Sequence, residues 1–230
     1  MTSFPKILSC LLFATSCLAS DAAIVARYDF EASGTAARNS TDTDPDSVSG
    51  PLTPSTLLDP QSARSTTAFN HFFVRTMVTS NSKEDALTAG SYFGFDVAPV
   101  VGTPLSLSNL TFLSASTAST EFAFTGNIFV RSSVDGFTTD LAEFSKASTS
   151  GTSAGNYVSR SVDLTGSQFQ NLTTPVTFRL YFWDDSSVST SVNTGVVHRI
   201  DDIIVNSVPE PASIGLLGLG ALSMLVRRRR

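Results

Sequence analysis

The chain has 230 residues, 15% of them charged, and a formal net charge of −5. That length suits one domain of ordinary size, and the charge balance excludes a strongly basic nucleic-acid binder. Both cysteines lie within the first twenty residues, and the last four residues are all arginine, which excludes a disulfide-framework miniprotein and a polytopic membrane protein and sets the ends apart from the middle.

Residues 1–22 read as a secretory signal helix. Lys6 gives a small positive start, Ile7 to Leu18 an apolar stretch, and the small residues Ala19, Ser20, Ala22 and Ala23 suit cleavage after Ala19 or Ala23. The apolar stretch is too short to span a bilayer core at about 1.5 Å per residue. The expected partners at this end are the Sec translocon and signal peptidase. Cys17 offers a lipid-attachment alternative, although the usual large aliphatic residue three positions upstream is missing. Once the leader is removed, both cysteines leave with it. The remaining body then depends on burial, hydrogen bonds and any bound ion, without covalent staples.

Residues 23–207 form the predicted body. Between Ser20 and Ser207 there are 19 acidic and 10 basic side chains, a net charge of −9, which opposes nucleic-acid phosphates and anionic headgroups. The periodicity is that of strands. Residues 24–30 alternate by their end, and Phe178, Leu180 and Phe182 share one face of a run with Arg179 and Tyr181 on the other. The stretches 121–124 and 128–131 read as a strand pair joined by a turn at Thr125-Gly126-Asn127. Further strands are expected at 69–79, 91–98, 105–114, 156–163 and 196–206, and one short helical turn at 165–172 with Thr165 as its cap. Loops are expected at 39–56, 145–155 and 184–195. Many short strands separated by Ser/Thr/Gly loops predict an all-β chain: one antiparallel β-sandwich, jelly-roll-like, between two terminal helices.

Tyr28-Asp29-Phe30-Glu31-Ala32-Ser33-Gly34 and Arg199-Ile200-Asp201-Asp202-Ile203-Ile204-Val205 resemble the first and last strands of jelly-roll carbohydrate-binding modules. The resemblance implies adjacent terminal strands and a structural Ca²⁺ held by acids from each, here Glu31 with Asp201 or Asp202, and carboxylate and carbonyl oxygens suit that ion. Acidic residues at solvated strand ends are the simpler alternative.

The body carries no His-Glu-x-x-His, no Gly-x-Ser-x-Gly and no phosphate loop. No cysteine remains there for thiol catalysis or zinc. His71 and His198 read as hydrogen-bonded strand histidines. Trp183 and Tyr181, if they stand exposed opposite Phe178 and Phe182, form with Asp184 a candidate sugar-binding platform. Asp96, Asp184 and Asp185 are the acids a polysaccharide hydrolase would use, were two of them to meet in a cleft. No residue is assigned a catalytic role.

Residues 208–230 are the sharpest signal. Pro209-Glu210-Pro211 breaks any regular element, residues 212–226 run without a charge, and Arg227, Arg228, Arg229 and Arg230 end the chain. The arginines hold that side of a membrane in the cytoplasm. A helix over 212–226 would be about 22 Å long, short for a transmembrane helix. This pattern resembles the PEP-CTERM sorting signal. The resemblance implies exosortase as partner, cleavage near Pro-Glu-Pro after a transient stay in the inner membrane, and delivery to the outer envelope or extracellular matrix, with exopolysaccharide as a further partner. The sequence thus predicts an exported envelope protein, not an enzyme, whose body has a structural, adhesive or glycan-binding role. The alternatives are an extracellular polysaccharide hydrolase and an unprocessed single-pass surface protein.

Overall fold

The computed structural model describes residues 22–30, 38–55, 58–59, 72–76, 81–118, 124–150, 156–185 and 196–209. Ala22–Val208 form one compact unit; beyond it only Pro209, which is exposed, is among the described residues. The expected signal helix, the apolar helix 212–226, Glu210, Pro211 and the four arginines lie outside them, as do Glu31 and His71. Among the described residues no helix is long and apolar enough to cross a membrane.

The compact unit is a sandwich of two sheets. The seven-stranded sheet is built on β7 (Leu107–Ala118) and β13 (Val196–Ser207), which pair antiparallel along most of their length. On its far side β13 pairs first with β5 (Phe72–Thr76) and then with β1 (Ile24–Tyr28), and β4 (Leu58–Asp59) extends β5. On the far side of β7 lie β11 (Val158–Asp163), antiparallel, and β10 (Thr149–Ser150), parallel. The terminal strands β1 and β13 are therefore neighbours. The six-stranded sheet runs β2 (Ser47–Ser49), β6 (Tyr92–Pro99), β12 (Val176–Asp184), β8 (Thr125–Ser132) and β9 (Ala142–Ala147), with β3 (Thr53–Pro54) also on β6.

Side chains alternate across each strand, and the core is the sum of the inward halves. From β12 come Phe178, Leu180 and Phe182; from β6, Phe93, Phe95 and Val97; from β7, Leu107, Leu110 and Phe112; from β13, Ile200, Ile203 and Val205. Every one of these is essentially inaccessible to solvent. Several core rings meet edge-on, as in Phe93–Phe182 (5.6 Å, 81°) and Phe112–Phe144 (5.6 Å, 83°), which suits their quadrupoles.

Four local expectations are corrected. Thr125-Gly126-Asn127 is not a turn but the start of β8. The glycine is there because the sheets approach closely: a Cβ on Gly126 would stand 2.1 Å from Ser116 Oγ and 2.9 Å from the His198 ring. Around 165–172 there is only one 3-10 turn, Ser167–Phe169, and Thr165 does not cap it but hydrogen-bonds the Asp163 carboxylate through its N–H and hydroxyl. The loop 39–56 contains β2 and β3, strands too short to show a period. The loop 145–155 begins within β9 and contains β10.

One helix went unanticipated. The segment α1, Lys83–Ala89, is capped by Ser82, whose Oγ accepts from Asp85 N–H at 3.1 Å, and stopped by Gly90 in the left-handed region at φ 66°. Ser82, the early acids Glu84 and Asp85, and Gly90 are a legible start and stop, but seven residues are too few to show a helical period.

Candidate functional site

The outward face of the six-stranded sheet collects most of the exposed chemistry. Register fixes which side chains stand side by side. One row crosses the sheet as Glu143, Phe129, Tyr181 and Tyr92; the next as Arg131, Arg179, Gly94 and Thr53; a third pairs Thr177 with Asp96.

The first row is half roofed. Ala86 of α1 sits on Phe129 and Tyr181, both buried, with Leu87, Tyr92 and Trp183 packed around them. Phe129 and Tyr181 stack in parallel, centroids 4.8 Å apart. Lys83 Nζ is 5.1 Å and the Arg131 guanidinium 5.5 Å from the centre of the Phe129 ring. Asp140 binds Arg131 Nε at 2.6 Å and also pairs with Lys83, which reaches Glu143 at 2.7 Å. Partial burial alone would raise the Asp140 carboxyl, but the hydrogen bonds from Lys83 and Arg131 outweigh it and hold the group below its ordinary range. Lys83 is correspondingly held above its ordinary value, its desolvation outweighed by Asp140 and Glu143. Two cations thus face two carboxylates, and this corner of the sheet is neutral.

The second row is less covered: Arg131 and Arg179 are half-buried, Gly94 is buried and Thr53 is exposed. Gly94 contributes no side chain, and beside it the Arg179 guanidinium lies between two rings, 4.3 Å from the Tyr92 centroid and 3.7 Å from that of Phe137. Phe137 follows a 3-10 turn (Ser133–Asp135) and Gly136, and its own φ is 63°, in the left-handed region that bulky residues avoid. Its N–H donates to Ser132 O and its carbonyl accepts from Arg131 Nη1, both at 2.9 Å. Asp96, exposed, accepts from the Thr177 hydroxyl at 2.6 Å.

Three predicted ligand-binding residues can now be placed. Tyr181 and Trp183 do share the face opposite Phe178 and Phe182, but α1 covers Tyr181, which is 4% exposed. Trp183 is half-buried beside it, with no hydrogen-bond partner for its buried Nε1 among the described residues. Asp184 points the other way, buried between the sheets. The missed members of the open face are Tyr92 and Phe137. Tyr92 falls in an expected strand and was legible only through register; Phe137 sits in a turn that gave no signal.

The acids considered for hydrolysis do not converge. Asp96 is outside the sheet and Asp184 inside it, while Asp185 accepts from Thr125 N–H at 2.5 Å at the strand end. Asp184 lies near His198, which is fully buried; neither of its ring nitrogens has a hydrogen-bond partner among the described residues, contrary to the satisfied strand histidine expected. Burial pushes the His198 pKa down, against the opposing pull of Asp184.

The terminal strands bring Asp202 to Arg27: Arg27 Nη2 is 3.1 Å from Asp202 Oδ1. Asp201 accepts from the Asp202 N–H at 2.9 Å. No three His, Cys, Asp or Glu side chains gather as a metal site among the described residues. A guanidinium thus faces Asp202 at this corner, and Glu31, the other acid expected there, lies outside the described residues.

A sandwich carrying a C-terminal address is the class these features define. Residues 207–230 match the PEP-CTERM protein-sorting motif. The motif implies recognition by exosortase, export, and a transient stay in the membrane. No curated protein sequence matches the chain. Among solved structures it is similar to the CBM22-1–GH10 part of Clostridium thermocellum endo-1,4-β-D-xylanase 10B, at 12% identity and TM-score 0.37 over 82% of this chain and 29% of that one. It is also similar to the K3 cleaved adhesin domain of Lys-gingipain from Porphyromonas gingivalis, at 14% identity and TM-score 0.42 over 80% of this chain and 100% of that one. A third is the CBM22-1 xylan-binding domain of Paenibacillus barcinonensis Xyn10C, at 9% identity and TM-score 0.37 over 83% and 97%. The chain spans less than a third of the xylanase it matches.

Proposed function

We propose that the protein is exported through its N-terminal signal, processed by exosortase near Pro209-Glu210-Pro211, and delivered to the outer envelope or matrix, where its sandwich contacts glycan without catalysing a reaction. The observation that carries the glycan reading is the open half of the six-stranded sheet. Tyr92 and Phe137 offer apolar ring surface, and Arg179, Asp96 and Thr177 offer donors and acceptors within two adjacent rows, while Trp183 is half-buried at the edge of the roofed row. Flat rings beside polar groups are what sugar recognition needs, since a pyranose presents C–H faces and hydroxyl edges. Asp96 and Asp184 stand on opposite faces of the sheet, which disfavours the hydrolase alternative because that chemistry needs two carboxyls within about 10 Å across one bond.

The full chain, screened on a glycan array with and without Ca²⁺, tests the binding role. Trp183, the sole tryptophan, gives a second reading through its fluorescence; an unchanged spectrum across the panel would remove this face from the proposal. Mass spectrometry of the exported product tests the sorting role. Loss of Arg227–Arg230 is expected, and their retention would make the protein an ordinary single-pass anchor.

A further inference from the structure

On the outward face of the six-stranded sheet two charged groups lack an ion-pair partner among the described residues, Asp96, which accepts from the Thr177 hydroxyl, and Arg179. Arg131 and Lys83 are matched by Asp140 and Glu143, but Arg179 has no carboxylate within ion-pair distance among the described residues. Its polar contacts there amount to one long approach, Nη1 to Tyr181 Oη at 3.5 Å, and its buried Nε has no partner. An arginine carries five donors in a planar fork that matches a carboxylate. Here that fork is held by rings and left almost unused.

The clamp is built, not incidental. Tyr92 and Phe137 take the guanidinium from two elements far apart in sequence, and Phe137 does so from a backbone held at a φ of 63°. A bulky residue in that region is strained, and strain of this kind concentrates where a side chain must be placed for use. Gly94, paired with Arg179 across the strands, lets the Tyr92 ring lie over its position: a Cβ there would meet Tyr92 Cε2 at 3.5 Å.

We propose that Arg179, clamped between Tyr92 and Phe137, binds the carboxylate of a uronic acid residue within an otherwise neutral polysaccharide. The proposal rests on the glycan-contact reading and deepens it. The body as a whole carries −9 between residues 20 and 207, so a densely anionic polymer is repelled at long range. A chain with isolated uronates is not, and one carboxylate can meet one uncompensated guanidinium while its neutral neighbours pack on the adjacent rings.

The test uses the full-length chain in detergent. Binding is measured to deacylated gellan, which has one glucuronate per repeat, to the same polymer after carboxyl reduction, and to neutral dextran. Free glucuronate and free glucose serve as competitors. The expected result is gellan binding that falls about tenfold or more on carboxyl reduction and is competed by glucuronate alone, since a charge-assisted bidentate pair is the strong kind. Arg179→Gln removes that preference, and Arg179→Lys restores little of it because the fork and the stacking are lost. Phe137→Gly weakens the preference while suiting the local backbone, so the clamp is tested even if the Arg179 variants fold poorly. Equal binding of gellan and its reduced form overturns the carboxylate proposal and leaves the glycan reading standing. A gellan preference that survives Arg179→Gln and Phe137→Gly overturns the assignment to this clamp. Failure to bind any of the three polymers overturns both readings.

Discussion

The rings of Phe129 and Tyr181 lie parallel, 4.8 Å apart and 4° from coplanar, on the outward face of the sheet, and the helix α1 rests Ala86 on them. A seven-residue helix has little stability of its own, so this contact holds α1 in place. Phe129→Ala should cost about 3 kcal/mol, the low end for a buried phenylalanine, because the cluster is small. Tyr181→Phe should cost less than about 1 kcal/mol, since among the described residues the hydroxyl's one hydrogen bond is a long approach from Arg179, at 3.5 Å. Denaturant unfolding gives both values, and amide exchange across Lys83–Ala89 should rise only in Phe129→Ala. Equal costs for the two variants would mean that the hydroxyl, not the stack, anchors the helix.

His198 sets an acid limit on the fold. Its pKa is lowered from the ordinary 6.5 to about 4, chiefly by burial, with Asp184 opposing. The unfolded chain therefore binds this proton more tightly than the folded one. Stability is full above about pH 6.5 and is lost as pH falls towards 4, by up to about 3 kcal/mol. His198→Phe, placed among Phe124 and Phe182, cannot take up the proton. The melting temperatures of wild type and variant should converge with wild type ahead or level near pH 7.5, and separate in the variant's favour near pH 4.5. A constant difference across that range would remove His198 from the acid response.

Much of the body was legible because strands announce themselves by period. Phe178, Leu180 and Phe182 point into the core as their alternation requires, and the adjacency of the first and last strands follows the family resemblance. What escaped was whatever depends on a second element. Gly126 looked like a turn residue because glycine has several uses, and only the position of Ser116 and His198 tells which applies. Tyr181 looked like a surface aromatic because its roof, α1, is too short to carry a helical signature. Arg179 was read as the polar side of a strand; its lack of a carboxylate partner among the described residues depends on Asp140 and Glu143 being paired with Arg131 and Lys83.

The Arg27–Asp202 pair gives a prediction about calcium. Both side chains are roughly two-fifths exposed, so the pair contributes a few tenths of a kcal/mol to about 1 kcal/mol. Asp202 also holds φ at 44° beside a bulge in β13. Asp202→Gly should be nearly neutral, because the relieved backbone offsets the lost pair, whereas Asp202→Val should cost more than about 1 kcal/mol. With Arg27 occupying the carboxylate, millimolar Ca²⁺ should leave the melting temperature of wild type unchanged, and so should chelator. A rise of several degrees with Ca²⁺, abolished in Asp201→Asn, would establish an ion site at this corner.

Gly126 and Ser116 should behave as a coupled pair. A methyl group on Gly126 would enter the space of Ser116 Oγ, at 2.1 Å, and of His198 Nδ1 and Cε1, both at 2.9 Å. Neither partner is a flexible chain end: Ser116 is 3% exposed and His198 fully buried, directly opposite each other on β7 and β13. The strand must shift, so Gly126→Ala should cost about 2–3 kcal/mol. Ser116→Ala removes the nearer obstacle and leaves the farther one. In that background the same glycine substitution should cost at least about 1 kcal/mol less, an interaction energy expected of groups in contact. Strict additivity in the double-mutant cycle would mean that Gly126 is there for its backbone freedom, as a turn residue would be, and not for the space it leaves between the sheets.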